Sequence, residues 1–304
     1  MKPLVKSLAI TVTLVTFSFL GKSYSQAPSN ESTEEVTIKF AGRVNNQTFA
    51  CGRYYNLGKP ATNVTPLDFR FYVSDVSLIN TKGQAVRLNL TQDGKWQYQN
   101  VALIDFENKT GACVNGTVET RDIVTGTVPK GNYKALRFTV GVPENLNHED
   151  STLAPSPLNL TSLWWNWQFG YKFARIDFTS QLSSTSQKQH SHHDEAKSQA
   201  FFFHLGSTGC QSETTSQKPK TACSYPNRAT ITLNNFNPSK NIIVADIAKL
   251  LANNNLSRNQ PGTAPGCMAE PNDKDCTGIM KNLGIPFGSQ TSKQTPKQIF
   301  FSVK

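Results

Sequence analysis

The sequence predicts a mainly β protein, an antiparallel β-sandwich with one or two short helices near the C-terminus. Three observations carry that reading. Short runs of β-branched and aromatic residues with period-two alternation recur along most of the chain. Gly, Pro and Asn punctuate the gaps, with Lys82-Gly83, Asp93-Gly94 and Pro129-Lys130-Gly131-Asn132 as turns. Helical periodicity is confined to two late stretches, Asn241–Asn253 and Asp273–Leu283.

Residues 1–25 read as a secretion signal. Lys2 and Lys6 precede an apolar run from Leu8 to Leu20, and Ser23-Tyr24-Ser25 supplies the small residues a signal peptidase needs. That run is shorter than the ~20 apolar residues that span a bilayer, and no later stretch is long enough, so the mature chain is expected to be exported without a membrane span. Residues 26–304 are then one domain, opening on a polar lead-in. Strands are expected at Glu35–Ala41 with Val36, Ile38 and Phe40 on one face, at Asp68–Val76 continuing to Ile79, and at Val86–Leu90. Further strands follow at Trp96–Tyr98, Val101–Phe106, Val118–Val128, Tyr133–Val140, Tyr171–Phe178, Ala200–Leu205 and Ala229–Leu233. A polar insertion occupies roughly 181–198, and Ile299–Val303 reads as a last strand. In Asn241–Asn253 a stripe of Ile243, Ile247, Leu250 and Leu251 predicts an amphipathic helix.

The chain carries 31 Lys and Arg against 21 Asp and Glu, a net charge of +10. The positive residues are scattered rather than gathered into a stripe, which argues against nucleic-acid binding and leaves a basic face for an acidic protein partner. Six cysteines in an exported chain (Cys51, Cys113, Cys210, Cys223, Cys267 and Cys276) favour disulfides over metal ligation, and no C-x-x-C pair is present. The pairing is open from sequence. Nearest neighbours give the simplest set, with the two short loops contributing about 2–3 kcal/mol each and the long one about 4.

Metal-capable and redox-capable side chains concentrate between Gly141 and Cys210, which hold all five histidines and three of the four tryptophans. His148 lies just past a Pro-containing turn. His204 ends the apolar run Phe201-Phe202-Phe203, where a polar ring needs a hydrogen bond or a metal. Asp150 and Asp177 are the carboxylates available to pair with a histidine. Trp165 and Trp167, two apart, face one way if the chain there is extended, and core packing is the plain alternative for all three indoles. His190, His192 and His193 fall in the polar insertion and read as a solvated loop. No G-x-S-x-G, H-E-x-x-H or P-loop motif is present, so no enzyme is expected.

Many ordered stretches resemble one known family. They include Cys51-Gly52, Leu67–Val73, Val101–Glu107, Gly141-Val142-Pro143, Asn147-His148, Pro157-Leu158-Asn159, Trp165–Phe173, His204–Cys210, Pro226-Asn227-Arg228 and Gly266-Cys267-Met268. Together they resemble the MbnP-like family, the metallo-mystery pair four-Cys-motif proteins. The resemblance implies a periplasmic copper-binding protein with a β-rich fold, partnered by a diheme cytochrome c peroxidase-like enzyme. That partner oxidises a tryptophan to kynurenine, which joins histidines on Cu(I). Carried over, the ligands are His148 and His204, and the modified residue is Trp165 or Trp167. Copper favours such nitrogen ligands. Two rival readings remain: a metal-free exported β-sandwich that binds a ligand or glycan through its tryptophans, and a metal-dependent enzyme using His148, His204 and Asp150.

Overall fold

Alternation seats the first strand. Along Thr33–Val44, Val36, Ile38 and Phe40 are buried while Thr33, Glu35 and Lys39 face water, the period-two pattern of a strand with one wet face. The computed structural model describes residues 32–181, 198–288 and 295–304, and Thr33–Lys304 forms one unit. The expected signal segment, the bulk of the polar insertion and His190, His192 and His193 lie outside the described residues.

Two sheets build the sandwich. One runs in the order Phe301–Val303, Ile243–Asp246, Thr33–Val44, Ile123–Pro129 and Asn89–Leu90. The other runs Ala229–Asn234, Tyr133–Val140, Thr62–Asn80, Ala174–Gln181, Ser198–Leu205 and Gly266–Cys267. Aromatic rings from both inner faces interlock between them: Phe40 lies edge-on to Phe71 and Phe138 at 6.0 and 5.7 Å, and Phe138 edge-on to Phe301 at 5.2 Å. This is the edge-to-face geometry that ring quadrupoles prefer. Among the described residues pairing is antiparallel except at two places, Phe40–Arg43 beside Ile243–Asp246 and Phe202-Phe203 beside Gly266-Cys267.

The parallel-pairing partner of the first strand corrects one expectation. Asn241–Asn253 is not one helix: Ile243–Asp246 is a strand, and only Ile247–Leu250 is helical. The β-branched run Ile242-Ile243-Val244 suits an inner strand flanked on both sides. Asp246 then ends it by capping the helix, its carboxylate accepting from the Ala248 amide at 3.0 Å. A second correction concerns Val118–Val128, where the strand begins only at Ile123 and Val118 is 74 % exposed. The Thr117 hydroxyl donates to the Glu119 carbonyl at 2.8 Å, a local bond that competes with ladder pairing. The later helix, Asp275–Leu283, stands where periodicity put it and stops at Gly284, whose φ of 79° is the left-handed C-terminal conformation. The three disulfides join Cys51 to Cys113, Cys210 to Cys223 and Cys267 to Cys276, the nearest-neighbour set.

Candidate metal centre

A row of charges crosses the outer face of the larger sheet. Register sets it: Asp105 lies opposite Arg70, Arg70 opposite Arg175, and Arg175 opposite His204, with Asp68 opposite Asp177 one pleat along. The alternate residues Phe69, Phe71, Ile176, Phe203 and Leu205 go to the core. Asp68, Arg70, Asp105, Asp177 and His204 are nonetheless buried, because the turn Thr161–Leu163 covers the row. The Ser162 carbonyl accepts from Arg175 at 3.2 Å and from Lys172 at 3.0 Å, and its hydroxyl accepts from Arg70 at 3.3 Å. Within the row Arg70 grips Asp68 through Nε and a second nitrogen at 2.8 and 2.5 Å. Arg175 Nε donates to Asp177 at 2.6 Å and lies 3.2 Å from Asp68.

The row ends at His204. Its Nε2 lies 3.0 and 3.3 Å from the two oxygens of Asp177, so Nε2 carries the proton and donates. In the neutral ring that leaves Nδ1 with the lone pair, and Nδ1 is buried with no hydrogen-bond partner among the described residues. An unpaired buried acceptor costs about 1–3 kcal/mol. A metal on Nδ1, with the carboxylate behind Nε2, is the arrangement ligating histidines usually have.

His148 is oriented in the same manner by different means. It follows the short helix Glu144–Asn147, and its Nδ1 lies 3.1 Å from the Trp167 carbonyl, to which it donates. Nε2 then holds the lone pair. It accepts from the Asn147 side-chain amide at 3.1 Å and faces the Cys210–Cys223 bridge, 3.7 Å from Cys223 Sγ. Burial lowers the His148 pKa below the ordinary histidine value, keeping the ring neutral and able to ligate.

Between the two histidines lies a tryptophan hairpin. Trp164–Asn166 pairs with Gly170-Tyr171, and the Asn166 side chain turns the chain by accepting from the Phe169 amide at 2.9 Å. That turn overrides the expectation that Trp165 and Trp167 face one way. Trp167 folds back edge-on to Trp164 at 5.8 Å, whereas Trp165 points to His204, ring centroids 6.4 Å apart. Gly206 makes room for Trp165, since a β-carbon there would sit 2.3 Å from the indole. Trp165 also lines an open cleft of about 300 Å³ with Asn166, Phe169, Thr208, Met268 and Glu270.

Both sequence-predicted histidines therefore lie against the same hairpin, His148 at the Trp167 backbone and His204 at the Trp165 ring. Asp177 joins them as expected. Asp150 does not: its carboxylate accepts from the Thr152 amide and hydroxyl at 2.8 and 2.7 Å, closing its own turn. The sequence reading missed Asn147. Its side chain accepts from the Tyr171 amide at 3.0 Å and donates to His148 and, at 3.4 Å, to Ser207, tying the His148 turn to the segment after His204. It also missed the Asp68–Arg70–Arg175 row, whose signal was charge at alternate positions of otherwise apolar strands.

The same buried row makes stability pH-dependent. Burial, against the pull of Arg70, pushes the Asp105 carboxyl up to about 8. Unfolded, that carboxyl titrates near ~4, so between the two values the folded chain holds the extra proton. The contribution of Asp105 is then fully present below ~4 and is lost by about 1.4 kcal/mol per pH unit until about 8. Asp105→Asn is expected to remove that slope in urea unfolding across this window. Parallel slopes for the variant and the parent would refute the assignment.

The profile of one family matches residues 33–269, described as MbnP, a span that includes His148, Trp165, Trp167, Asp177 and His204. The chain belongs to the MbnP family. Among solved structures it is similar to MbnP from Methylosinus trichosporium, at 26% sequence identity and a TM-score of 0.74, over 90% of this chain and 98% of that one. No curated protein sequence matches it significantly. The mainly β architecture agrees with that likeness, and the MbnP match ends before Cys276 and the whole of the last helix.

Proposed function

We propose that this MbnP-family protein is an exported, periplasmic copper-binding protein and not an enzyme. It holds Cu(I) through His148 Nε2, His204 Nδ1 and a kynurenine made from Trp165 by a diheme cytochrome c peroxidase-like partner. The observation that carries the reading is the buried, unpaired Nδ1 of His204, presented by Asp177 beside the Trp165 ring. Three further features support it. The His148 proton is committed to the Trp167 carbonyl, so the lone pair is on Nε2, where a metal would take the place of the Asn147 amide that donates to it at 3.1 Å. Neutral imidazoles suit a monovalent soft cation. The six cysteines are all in disulfides, as expected of a chain in an oxidising compartment.

Trp165 is preferred to Trp167 because its ring, not its backbone, faces a histidine, and because the cleft it lines gives access from outside. An intact indole nitrogen only donates. Peroxide-level oxidation by the partner would cleave the C2–C3 bond of the five-membered ring with addition of two oxygens, and water would then release C2 as formate. The residue thus gains one oxygen, loses one carbon and is left with an aromatic amine that has a lone pair. The test is peptide mass spectrometry with Cu(I) titration on protein made with and without the partner. The peptide holding Trp165 is expected to gain about 4 Da only with the partner, and tight copper binding should accompany it. An unshifted peptide, or equal binding by untreated protein, would overturn the reading.

A further inference from the structure

We propose that reduction of the Cys210–Cys223 disulfide opens a second metal site, in which the two thiolates and His148 Nε2 hold a single Cu(I). The three donor atoms already lie within 4.8 Å of one another, and all three residues are buried. The lone pair of His148 faces the bridge because its other nitrogen is spent on the Trp167 carbonyl. The ring itself need not move to bring nitrogen and sulfur onto one ion; the Asn147 amide, which donates to Nε2 at 3.1 Å, is what the metal displaces.

The scaffold holds the sulfurs together without the bond between them. Thr208 and Tyr225 exchange backbone hydrogen bonds at 2.9 and 3.0 Å, and the Ser224 amide donates to the Gly209 carbonyl at 3.2 Å. Those bonds clamp the residues next to each cysteine. On the other side, Gln168 donates to the Cys210 carbonyl at 2.9 Å, fixing Cys210 to the tryptophan hairpin. A dithiol reductant supplies two electrons and two protons: the S–S bond breaks, two thiols form, and the reductant closes to its own disulfide. Cu(I) then displaces the thiol protons. Two thiolates and one imidazole give a closed three-coordinate set, which suits Cu(I) rather than Zn(II), whose structural sites take four ligands.

The site uses no tryptophan, so it does not rest on kynurenine formation. Where the proposed function also holds, the two sites share His148 and exclude each other, and the redox state of one disulfide decides which is open.

The experiment uses the exported chain as Trp165→Phe, made without the partner, so that no tailored site exists. It is reduced with a phosphine, freed of reductant and titrated anaerobically with Cu(I) against a chromophoric chelator. Reduction is expected to add one Cu(I) per chain, with sulfur-to-copper charge-transfer absorption in the near ultraviolet. His148→Gln should weaken that ion at least tenfold, and Cys210→Ser with Cys223→Ser should abolish it. Cys51→Ser with Cys113→Ser, and separately Cys267→Ser with Cys276→Ser, should retain it. X-ray absorption on the reduced chain with all its cysteines settles the case if the serine variants misfold: two sulfurs and a nitrogen are expected. No added equivalent on reduction, a copper environment without sulfur, or an ion that survives loss of Cys210 and Cys223 would overturn the proposal. None of those outcomes bears on Trp165 tailoring.

Discussion

His204→Gln is expected to abolish Cu(I) retention by the partner-treated protein, and Asp177→Asn to weaken it about ten- to a hundredfold. The first change removes the proposed ligand. The second leaves the ligand in place and alters which nitrogen it offers. Asp177 only accepts, so the facing Nε2 must carry the proton and Nδ1 the lone pair. An asparagine amide can donate instead, which lets Nε2 give up its proton and moves it to Nδ1, the atom meant for the metal. Asp177→Asn also strips Arg175 of its 2.6 Å partner, so lost affinity alone would be ambiguous. Nitrogen NMR of the His204 ring separates the two effects. The expected result is a tautomer change in a folded, metal-free chain, with His148 unaffected. Wild-type copper affinity in Asp177→Asn, or an unchanged His204 tautomer, would remove Asp177 from the role.

How much of this was legible in the sequence depends on the range of the forces involved. Alternation gave Thr33–Val44 and Tyr133–Val140 because a strand's own residues decide which face is wet. It failed at Ile243–Asp246, where spacing that also fits a helix was overruled by pairing with a strand some two hundred residues earlier. The histidines were legible as types out of place, above all His204 at the end of an apolar run. Their partners were less so. Asn147 reads as an ordinary turn residue, and its three-way role follows from Tyr171 and Ser207 arriving beside it. The direction of the indoles turned on one side-chain bond from Asn166, which no periodicity records. Arg70 and Arg175 stand at alternate positions of half-buried strands, where charges ordinarily face solvent, and the Thr161–Leu163 turn folding over them makes them interior.

That burial sets the size of the last effect. Arg70→Met is expected to destabilise the protein by about 3–5 kcal/mol, the usual cost of removing one partner from a buried ion pair. Arg70 is 1% exposed and holds Asp68 with two bonds, while Asp105 sits opposite it in the sheet and Glu107 lies nearby. Taking the cation away leaves Asp68 with only the longer contact to Arg175 at 3.2 Å. It also leaves Asp105 without the charge that opposes its protonation. Methionine fills the volume but satisfies none of these oxygens. If the penalty comes from stranded carboxylates, removing one should recover part of it, so Arg70→Met with Asp68→Leu is expected to be more stable than Arg70→Met alone. Urea unfolding of the two variants and the parent measures both differences at one pH. A loss under about 1 kcal/mol for Arg70→Met, or a double variant worse than the single, would mean that packing and not charge holds this face together. Because the row runs on through Arg175 and Asp177 to His204, the single variant should also bind copper less tightly than the double.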